Sequence, residues 1–266
     1  MIATDAVSMI GFVLSLVFLG YSAYSDLKTR EVSNRVWLTY LPLAAAVLTT
    51  RLLLDPNLLF LSVTSIAVTT CLSLIMFYIG IFGGADAKAF ICLSAAVPTN
   101  PFPLRSLFLS LNPIFPVMVL YTAYFLSAST ILHILARNIA WKYVKRKQLF
   151  ENIEELSPLK KLLAVLTGYK TDLETLRNKV YLYPMEEAST QNGILRRRLR
   201  LFVSAETDRD HAVKSLENSM VQSQKSDVWV TPGMPLLLFV LLALLLNGLL
   251  GDFIMSAVFQ IISSIV

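Results

Sequence analysis

Long runs of apolar residues dominate the chain and are separated by short polar stretches. Most of these runs approach the roughly 20 residues that an α-helix needs to cross a bilayer. We expect membrane-spanning helices at about 8–25, 36–54, 58–80, 87–98, 114–136 and 231–250, of which the fourth is short. The run Phe253–Val266 is too short to cross alone, so it either lengthens the sixth helix or lies at the membrane interface.

Residues 138–229 differ from the rest of the chain in composition. They hold 16 of the 23 Lys and Arg and 12 of the 18 Asp and Glu, which indicates a soluble insert. Helices are expected at 150–166, with a break or restart at Pro158, and at 171–180, and short strands at 180–183, 194–203 and 228–230. The expected domains are therefore a helical bundle at 1–137, the insert at 138–229 and a last helix with its extension at 230–266.

The fold class that follows is an all-α polytopic membrane protein with about six transmembrane helices and a small mixed α+β cytoplasmic insert before the last helix. The composition agrees, because 55% of the residues are hydrophobic and only 15% are charged, with a mean hydropathy of +0.63. A soluble protein of this composition is not expected. No Lys or Arg precedes the first run and no small-residue cleavage pattern follows it, so we expect an uncleaved anchor.

The distribution of basic residues predicts the orientation in the membrane. Basic residues follow the first, third and fifth apolar runs. The segments on the opposite side of the membrane carry only Arg51 and Arg105. By the positive-inside rule, the N-terminus lies outside and the basic segments are cytoplasmic. The net charge of +5 then reflects topology and contact with anionic lipids, and nucleic acid is not expected as a partner.

Two aspartates stand at the edges of apolar runs on the same predicted face. Asp26 closes the first run and Asp86 opens the fourth, both on the cytoplasmic side, whereas Asp5, Asp55 and Asp252 fall on the outer side. Gly251-Asp252 also has the form of a Gly-Asp motif. Because Asp252 is predicted on the opposite side of the membrane from Asp26 and Asp86, a structural role at a helix end is favoured for it. Carboxylates at the border of hydrocarbon are costly and seldom persist there without a partner or a task.

Two carboxylates on one face support a specific chemistry. When they lie about 3 Å apart, one keeps its proton and the other acts as a general base toward a water between them. Gly83 and Gly84 would let an extended substrate backbone or a neighbouring helix approach Asp86 closely. Taken alone, Gly-Gly-x-Asp is a weak motif, because glycines near the start of membrane helices are common packing devices.

Other catalytic schemes lack a suitable constellation of residues. His133 and His211 lie far from any Ser or Cys in a nucleophile context. Cys71 and Cys92 lie in apolar runs without a Cys-x-x-Cys pattern, so neither a zinc site nor a disulfide is expected. There is no phosphate-binding loop. We therefore expect neither a metal nor a cofactor.

The two aspartate segments together resemble the prepilin and preflagellin peptidases, the membrane aspartic proteases of the GxGD type. Residues 25–34, Ser-Asp-Leu-Lys-Thr-Arg-Glu-Val-Ser-Asn, are similar to the first aspartate motif of that family, and residues 83–88, Gly-Gly-Ala-Asp-Ala-Lys, to the second. Ala85 departs from the family's Gly-x-Gly-Asp by one methyl group. The long insert and the Trp229-Val230-Thr231-Pro232 segment before the last helix resemble the archaeal preflagellin peptidases in particular.

This resemblance implies a membrane-embedded aspartic endopeptidase. Its catalytic pair would be Asp26 and Asp86, and it would remove short basic leaders from archaellin-like or type IV pilin-like precursors at the cytoplasmic face of the cell membrane. Lys28 and Lys88 would support the pair or contact the substrate, although both also fit the role of positive-inside anchors.

Two other classes of function stay open on the residues alone. Intramembrane aspartates also serve as proton or cation sites in transporters, where they lie near the midplane of the bilayer. A non-catalytic assembly scaffold would use the insert for docking and tolerate loss of either aspartate. The run Arg196–Arg198 in the insert fits a solvated face, with lipid headgroups or an acidic partner as the alternative.

Overall fold

The computed structural model describes residues 2–102, 108, 112–144, 146–150, 157–191, 194–200, 209, 212–214, 216–217 and 227–265. Contacts within the chain divide it into two compact units. The first unit, a helical bundle, comprises Met1–Ser127 and Pro235–Val266. The second unit comprises Ala128–Met234.

The bundle is built from helices of unequal length. Its helices are α1 (Ile2–Thr29), α2 (Asn34–Leu54), α3 (Leu59–Tyr78), α4 (Gly84–Ala96), α5 (Phe115–Ser127), α9 (Leu236–Leu250) and α10 (Phe253–Ile265). A single 3₁₀ turn, Pro56–Leu58, joins α2 to α3, and the side chain of Asp55 caps it by accepting from the Asn57 N–H.

Four segments are long and apolar enough to cross a membrane: Ala3–Thr29, Asn34–Leu54, Pro56–Tyr78 and Phe115–Tyr143. The remaining predicted spans correspond to α4 and α9, which have only 13 and 15 residues. Helix length therefore establishes four candidate spans, and the count of six stays a prediction. Helix α10, with 13 residues, is also shorter than the roughly 20 residues of a full crossing.

The outer surface of the bundle is apolar. Leu38 is 71% exposed, Phe60 83% and Val17 64%. A water-soluble monomer rarely exposes contiguous apolar surface on this scale, so these side chains have the character of lipid contacts.

The interior of the bundle centres on α4. This short helix packs against α1, α2, α3, α5 and α9. Eight of its 13 residues are buried: Ala87, Ala89, Phe90, Cys92, Leu93, Ser94, Ala95 and Ala96. Because most of these side chains are small, the surrounding helices approach α4 closely.

Hydroxyl groups on α3 face inward, which is the reverse of the pattern in a soluble helix. The buried residues of α3 are Ser62, Ser65, Thr69 and Ser73. Ser65 donates to the backbone oxygen of Pro98 at 2.7 Å, and Ser73 donates to Thr69 one turn earlier. In hydrocarbon a polar group is favoured inside the bundle, so the hydroxyls lie inside and the apolar side chains outside. The hydroxyls of Ser62 and Thr69 have no hydrogen-bond partner among the described residues.

The second unit is a small mixed α+β structure. Its elements are α6 (Ser129–Tyr143), α7 (Pro158–Thr167), β1 (Tyr169–Asp172), α8 (Leu173–Asn178), β2 (Leu182–Pro184), β3 (Glu186–Gln191), β4 (Ile194–Leu199) and β5 (Asp227–Pro232). Strand β5 lies between β1 and β2 in an antiparallel sheet, and β3 pairs with β4 in a hairpin. The buried ring of Trp229 on β5 stacks on Phe150, and its indole N–H donates to the Leu149 carbonyl.

The structure confirms the mixed character expected of the insert and corrects several of its elements. The predicted strands at 180–183, 194–203 and 228–230 correspond to β2, β4 and β5, whereas β1 and β3 were not expected. The helix expected at 150–166 is described from Pro158, with Ser157 as its N-cap, and the one at 171–180 shortens to α8. His211 lies outside the described residues.

A glycine on α1 lets that helix approach α4. A Cβ at Gly11 would overlap the backbone oxygen of Ala96 at the end of α4. On the same helix, a Cβ at Gly20 would meet nothing within 4 Å. The two glycines therefore form a matched pair, of which only Gly11 is required by packing.

We expect Gly11→Ala to lower the stability of the bundle by about 1–3 kcal/mol, because the added methyl forces α1 away from a backbone atom that cannot rotate aside. Gly20→Ala, the control, leaves stability unchanged or raises it by about 1 kcal/mol through helix propensity. Thermal unfolding of the two purified variants in detergent measures the difference. Equal unfolding temperatures for both variants would contradict this account of the α1–α4 contact.

Candidate aspartate site

Asp26 lies one turn before the end of α1, where the helix leaves the apolar part of the bundle. Arg30, four residues later, places a guanidinium nitrogen 3.9 Å from the Asp26 carboxylate. The side chains of both residues are largely buried, at 17% exposure for Asp26 and 16% for Arg30. Burial disfavours the ionised form of the Asp26 carboxyl group, and the adjacent guanidinium opposes this effect.

The turn after α1 is held by its own side chains. Arg30 has a φ of +60°, which a non-glycine residue adopts at a cost of about 1–2 kcal/mol. Ser25 and Thr29 both donate hydrogen bonds to the backbone oxygen of Glu31, at 2.7 and 3.1 Å. Ser33 then accepts from the Arg35 N–H and caps α2. The first aspartate motif is thus a closed turn that fixes the direction in which the chain leaves Asp26.

Asp86 occupies the first turn of α4. Its carboxylate accepts a hydrogen bond from the backbone N–H of Gly83, the N-cap residue, at 3.0 Å. The N-terminus of a helix carries partial positive charge, so a carboxylate is favoured there. This bond holds the carboxylate against the Gly83-Gly84 turn.

The two glycines before Asp86 differ in how closely they are packed. A Cβ at Gly83 would lie 3.2 Å from the Asp86 carboxylate, closer than most real Cβ contacts. A Cβ at Gly84 would make an ordinary contact with Phe77 at 3.7 Å. Ala85 is partly buried and packs against the core of the bundle, so the structure accommodates its methyl group. The requirement for glycine therefore falls on Gly83.

The two aspartates interact electrostatically. Asp86 lies outside the four candidate spans, and burial raises its pKa from an ordinary 3.8 to about 7, while the Gly83 N–H opposes this rise and the negative charge of Asp26 adds to it. Asp26 and Asp86 are thus close enough for one charge to affect the other. Within the described part of the chain no hydrogen bond joins the two carboxyl groups.

The two lysines of the motifs have different contacts. Lys88 donates a hydrogen bond to the side-chain oxygen of Asn34 at 2.7 Å, which joins the start of α4 to the start of α2. The Lys28 ammonium lies 5.8 Å from the centre of the Tyr24 ring on its own helix. Lys88 therefore connects the two aspartate motifs, whereas the contact described for Lys28 is with its own helix.

Two residues of this site were not singled out from the sequence. Arg30 is the charged neighbour of Asp26. The four-residue spacing could have predicted this contact, because residues four apart lie on the same face of a helix. Asn34 receives the Lys88 hydrogen bond, and no sequence pattern connects residues that are 54 positions apart.

The other candidate residues have contacts of a different kind. Asp252 is fully buried, and its carboxylate accepts from the Met255 N–H at the start of α10, as expected for a helix end. His133 is exposed, and Cys71 and Cys92 are free thiols. Among the described residues, no group of three or more His, Cys, Asp or Glu side chains forms a possible metal site.

Comparison with known families covers both parts of the chain. The model of the type IV leader peptidase family matches residues 13–135, which include Asp26 and Asp86. The model of the archaeal peptidase A24 C-terminus, type II, matches residues 160–253. These matches confirm the family resemblance predicted from the two aspartate motifs.

Similar proteins extend over nearly the whole chain. The preflagellin peptidase of Methanococcus voltae is 24% identical, over 94% of this chain and 99% of its own length. The preflagellin peptidase of Methanocaldococcus jannaschii is 26% identical, over 92% and 95% of the two chains. That of Methanococcus maripaludis is also 26% identical, over 93% and 98%.

The raised pKa of Asp86 predicts a pH-dependent effect of Asp86→Asn on stability. Ionisation of Asp86 is disfavoured in the folded state, so its contribution to stability is fully present below about pH 4 and is lost as the pH rises to about 7. Asparagine cannot ionise, so the unfolding temperature of the variant should exceed that of the wild type by an amount that grows from pH 4 to 7 and then levels off.

Thermal unfolding in detergent between pH 4.5 and 8.5 measures this difference. Glu31→Gln, which removes an exposed carboxylate from the neighbouring turn, is the control and should show no such trend. A constant difference between Asp86→Asn and the wild type across this range would contradict the burial of the Asp86 charge.

Proposed function

We propose that this chain is an aspartic endopeptidase with Asp26 and Asp86 as its catalytic pair, because residues 13–135 match the type IV leader peptidase family and residues 160–253 match the archaeal peptidase A24 C-terminus. The proposed substrates are preflagellin or type IV pilin-like precursors with short basic leaders, since the similar proteins are preflagellin peptidases. The observation that carries the aspartic mechanism is the electrostatic interaction between the two carboxyl groups at the ends of α1 and α4.

The two carboxyl groups have different environments, which suggests different roles. Asp26 lies beside Arg30 and acts as the general base, and Asp86, whose pKa is raised by burial, holds the proton. A water between them loses a proton to Asp26 as its oxygen attacks the scissile carbonyl carbon. Asp86 gives its proton to the carbonyl oxygen. Collapse of the tetrahedral intermediate breaks the C–N bond, and the leaving nitrogen takes up the proton from Asp26. One hydroxyl of the intermediate returns its proton to Asp86 as the new carboxyl group forms, which restores the starting protonation of the pair.

Closure of the pair is part of the proposed mechanism. No hydrogen bond joins the carboxyl groups in the described structure, and we propose that α4 approaches α1 so that the two groups share a water. The Gly80–Gly83 segment before α4 suits such a movement, because Gly80 has a φ of +82° and a Cβ there would meet nothing within 4 Å. We propose that binding of the precursor drives this approach.

The proposed location of the site is the cytoplasmic border of the membrane. Asp26 ends one helix and Asp86 begins another, and basic residues Lys28, Arg30 and Lys88 accompany them. A peptide bond at this border is unwound more readily than one inside hydrocarbon, and water is available there.

Supporting roles are proposed for the other motif residues. Gly83 leaves room for the Asp86 carboxylate and presents the N–H that binds it. Gly84 and Ala85 complete the first turn of α4 and lie where a substrate backbone would pass. Lys88 positions α4 through Asn34. No observation favours the transporter alternative.

Substitution of either aspartate tests the proposed mechanism. We expect Asp26→Asn and Asp86→Asn each to lower the rate of leader cleavage by more than about 100-fold, because each removes one proton carrier. The assay measures cleavage of a short pilin-like precursor with a basic leader by membranes that contain equal amounts of each variant.

Asp252→Asn is the matched control, since this aspartate is also buried at a helix end. Asparagine still caps α10, so cleavage should continue at the wild-type rate. Cleavage that survives either substitution of the proposed pair would refute the aspartic mechanism and leave a scaffold role to be considered.

The two glycines before Asp86 provide a second test. Gly83→Ala places a methyl group against the Asp86 carboxylate and should lower cleavage by about 10–100-fold through displacement of that carboxylate. Gly84→Ala makes only an ordinary contact with Phe77 and should reduce cleavage by less than about twofold. The same precursor assay applies, and a larger loss in Gly84→Ala than in Gly83→Ala would contradict the proposed geometry.

A further inference from the structure

One buried tyrosine hydroxyl near Asp86 has no hydrogen-bond partner among the described residues. It belongs to Tyr124 on α5, whose hydroxyl oxygen is inaccessible to solvent and unpaired. A tyrosine hydroxyl in a buried position normally finds a partner, and leaving such a group unpaired costs about 1–3 kcal/mol. Packing alone does not account for this hydroxyl, since phenylalanine would fill the same space at lower cost.

The ring of Tyr124 is fixed against the segment that carries Asp86. It stacks parallel to Phe82, with an interplanar angle of 2° and 6.1 Å between the ring centres. Phe82 in turn stacks on Phe90 of α4, at 5.5 Å and 2°. Phe82 directly precedes Gly83, whose N–H binds the Asp86 carboxylate. The three aromatic rings therefore hold Tyr124 beside the start of α4.

The Tyr124 hydroxyl also lies within electrostatic range of the Asp86 carboxyl group. The two groups do not hydrogen-bond each other in the described structure, and Asp86 already accepts from Gly83. A phenol both donates and accepts hydrogen bonds, and an acceptor that arrives with the substrate would pair the O–H that is unpaired in the described structure. In peptide cleavage that acceptor is the scissile carbonyl oxygen, which gains negative charge as water attacks the carbonyl carbon.

We infer that Tyr124 is a third catalytic residue, which donates a hydrogen bond to the scissile carbonyl oxygen of the bound precursor. This inference rests on the proposed aspartic mechanism. The hydroxyl transfers no proton; Asp86 protonates the oxygen, and Tyr124 stabilises the charge that develops on it. The bond is strongest in the transition state, so its loss should affect kcat more than KM.

Tyr124→Phe tests this role, because the substitution keeps the ring and removes only the hydroxyl. We expect kcat for leader cleavage to fall about 100-fold, with KM changed by less than about twofold. Since the hydroxyl has no partner in the folded protein, the unfolding temperature should stay the same or rise. A purely structural role predicts wild-type kcat at this unchanged stability.

Tyr121→Phe is the matched control. Tyr121 lies one turn earlier on α5, and its hydroxyl is likewise buried without a hydrogen-bond partner among the described residues, but its charged neighbour is Asp252. We expect wild-type kcat in this variant. An equal loss of kcat in Tyr121→Phe and Tyr124→Phe, or a Tyr124→Phe variant that changes KM alone, would overturn the assignment.

The Asp86→Asn variant, assayed in parallel, separates the two proposals. If Asp86→Asn still cleaves the precursor, the aspartic mechanism itself fails and the role of Tyr124 fails with it. If Asp86→Asn is inactive and Tyr124→Phe cleaves at the wild-type kcat, only the assignment of Tyr124 is refuted.

Discussion

The arrangement of the bundle depends on the burial of α4. This short helix is covered by five others, and most of its buried side chains are alanine, serine or cysteine. Between helices in a membrane there is little hydrophobic driving force, so stability comes from close packing and from internal hydrogen bonds. The missing side chain at Gly11 allows α1 to touch the backbone of α4. The same packing fixes the position of Asp86 and places Asp26 within electrostatic range of it.

The lipid environment also favours polar side chains that lie in the interior of the helical bundle. Tyr40 donates to Ser15 at 2.7 Å, and Ser15 donates to the Gly11 carbonyl oxygen. Arg51, predicted on the outer side of the membrane, is buried and donates to Thr99 at 2.6 Å. These bonds satisfy the hydroxyl groups of Tyr40 and Ser15 and one nitrogen of Arg51, whose Nε and Nη1 have no partner among the described residues. They align the helices around α4.

Several buried polar groups have no hydrogen-bond partner among the described residues, and the proposed active site contributes to this set. Burial disfavours ionisation of Asp86, and the hydroxyl of Tyr124 has no partner in the described part of the chain. Both features cost stability in the resting protein. Such costs are expected where a site is arranged to bind a substrate and a transition state. The interactions of Lys88 with Asn34 and of Arg30 with Asp26 hold the surrounding segments in place.

The sequence alone determined the membrane character, the mixed insert and the two aspartate motifs. Each of these features depends on residues that are close together in the sequence. Apolar runs indicate the membrane helices, a change in composition indicates the insert, and glycines beside an aspartate indicate the second motif. Tertiary structure decided the closeness of Asp26 to Asp86, the partner of Lys88 and the position of Tyr124. The membrane helices are apolar on nearly every side, so their periodicity does not reveal which face meets which neighbour. Strands as short as β1 likewise depend on pairing with β5, a partner more than 50 residues away.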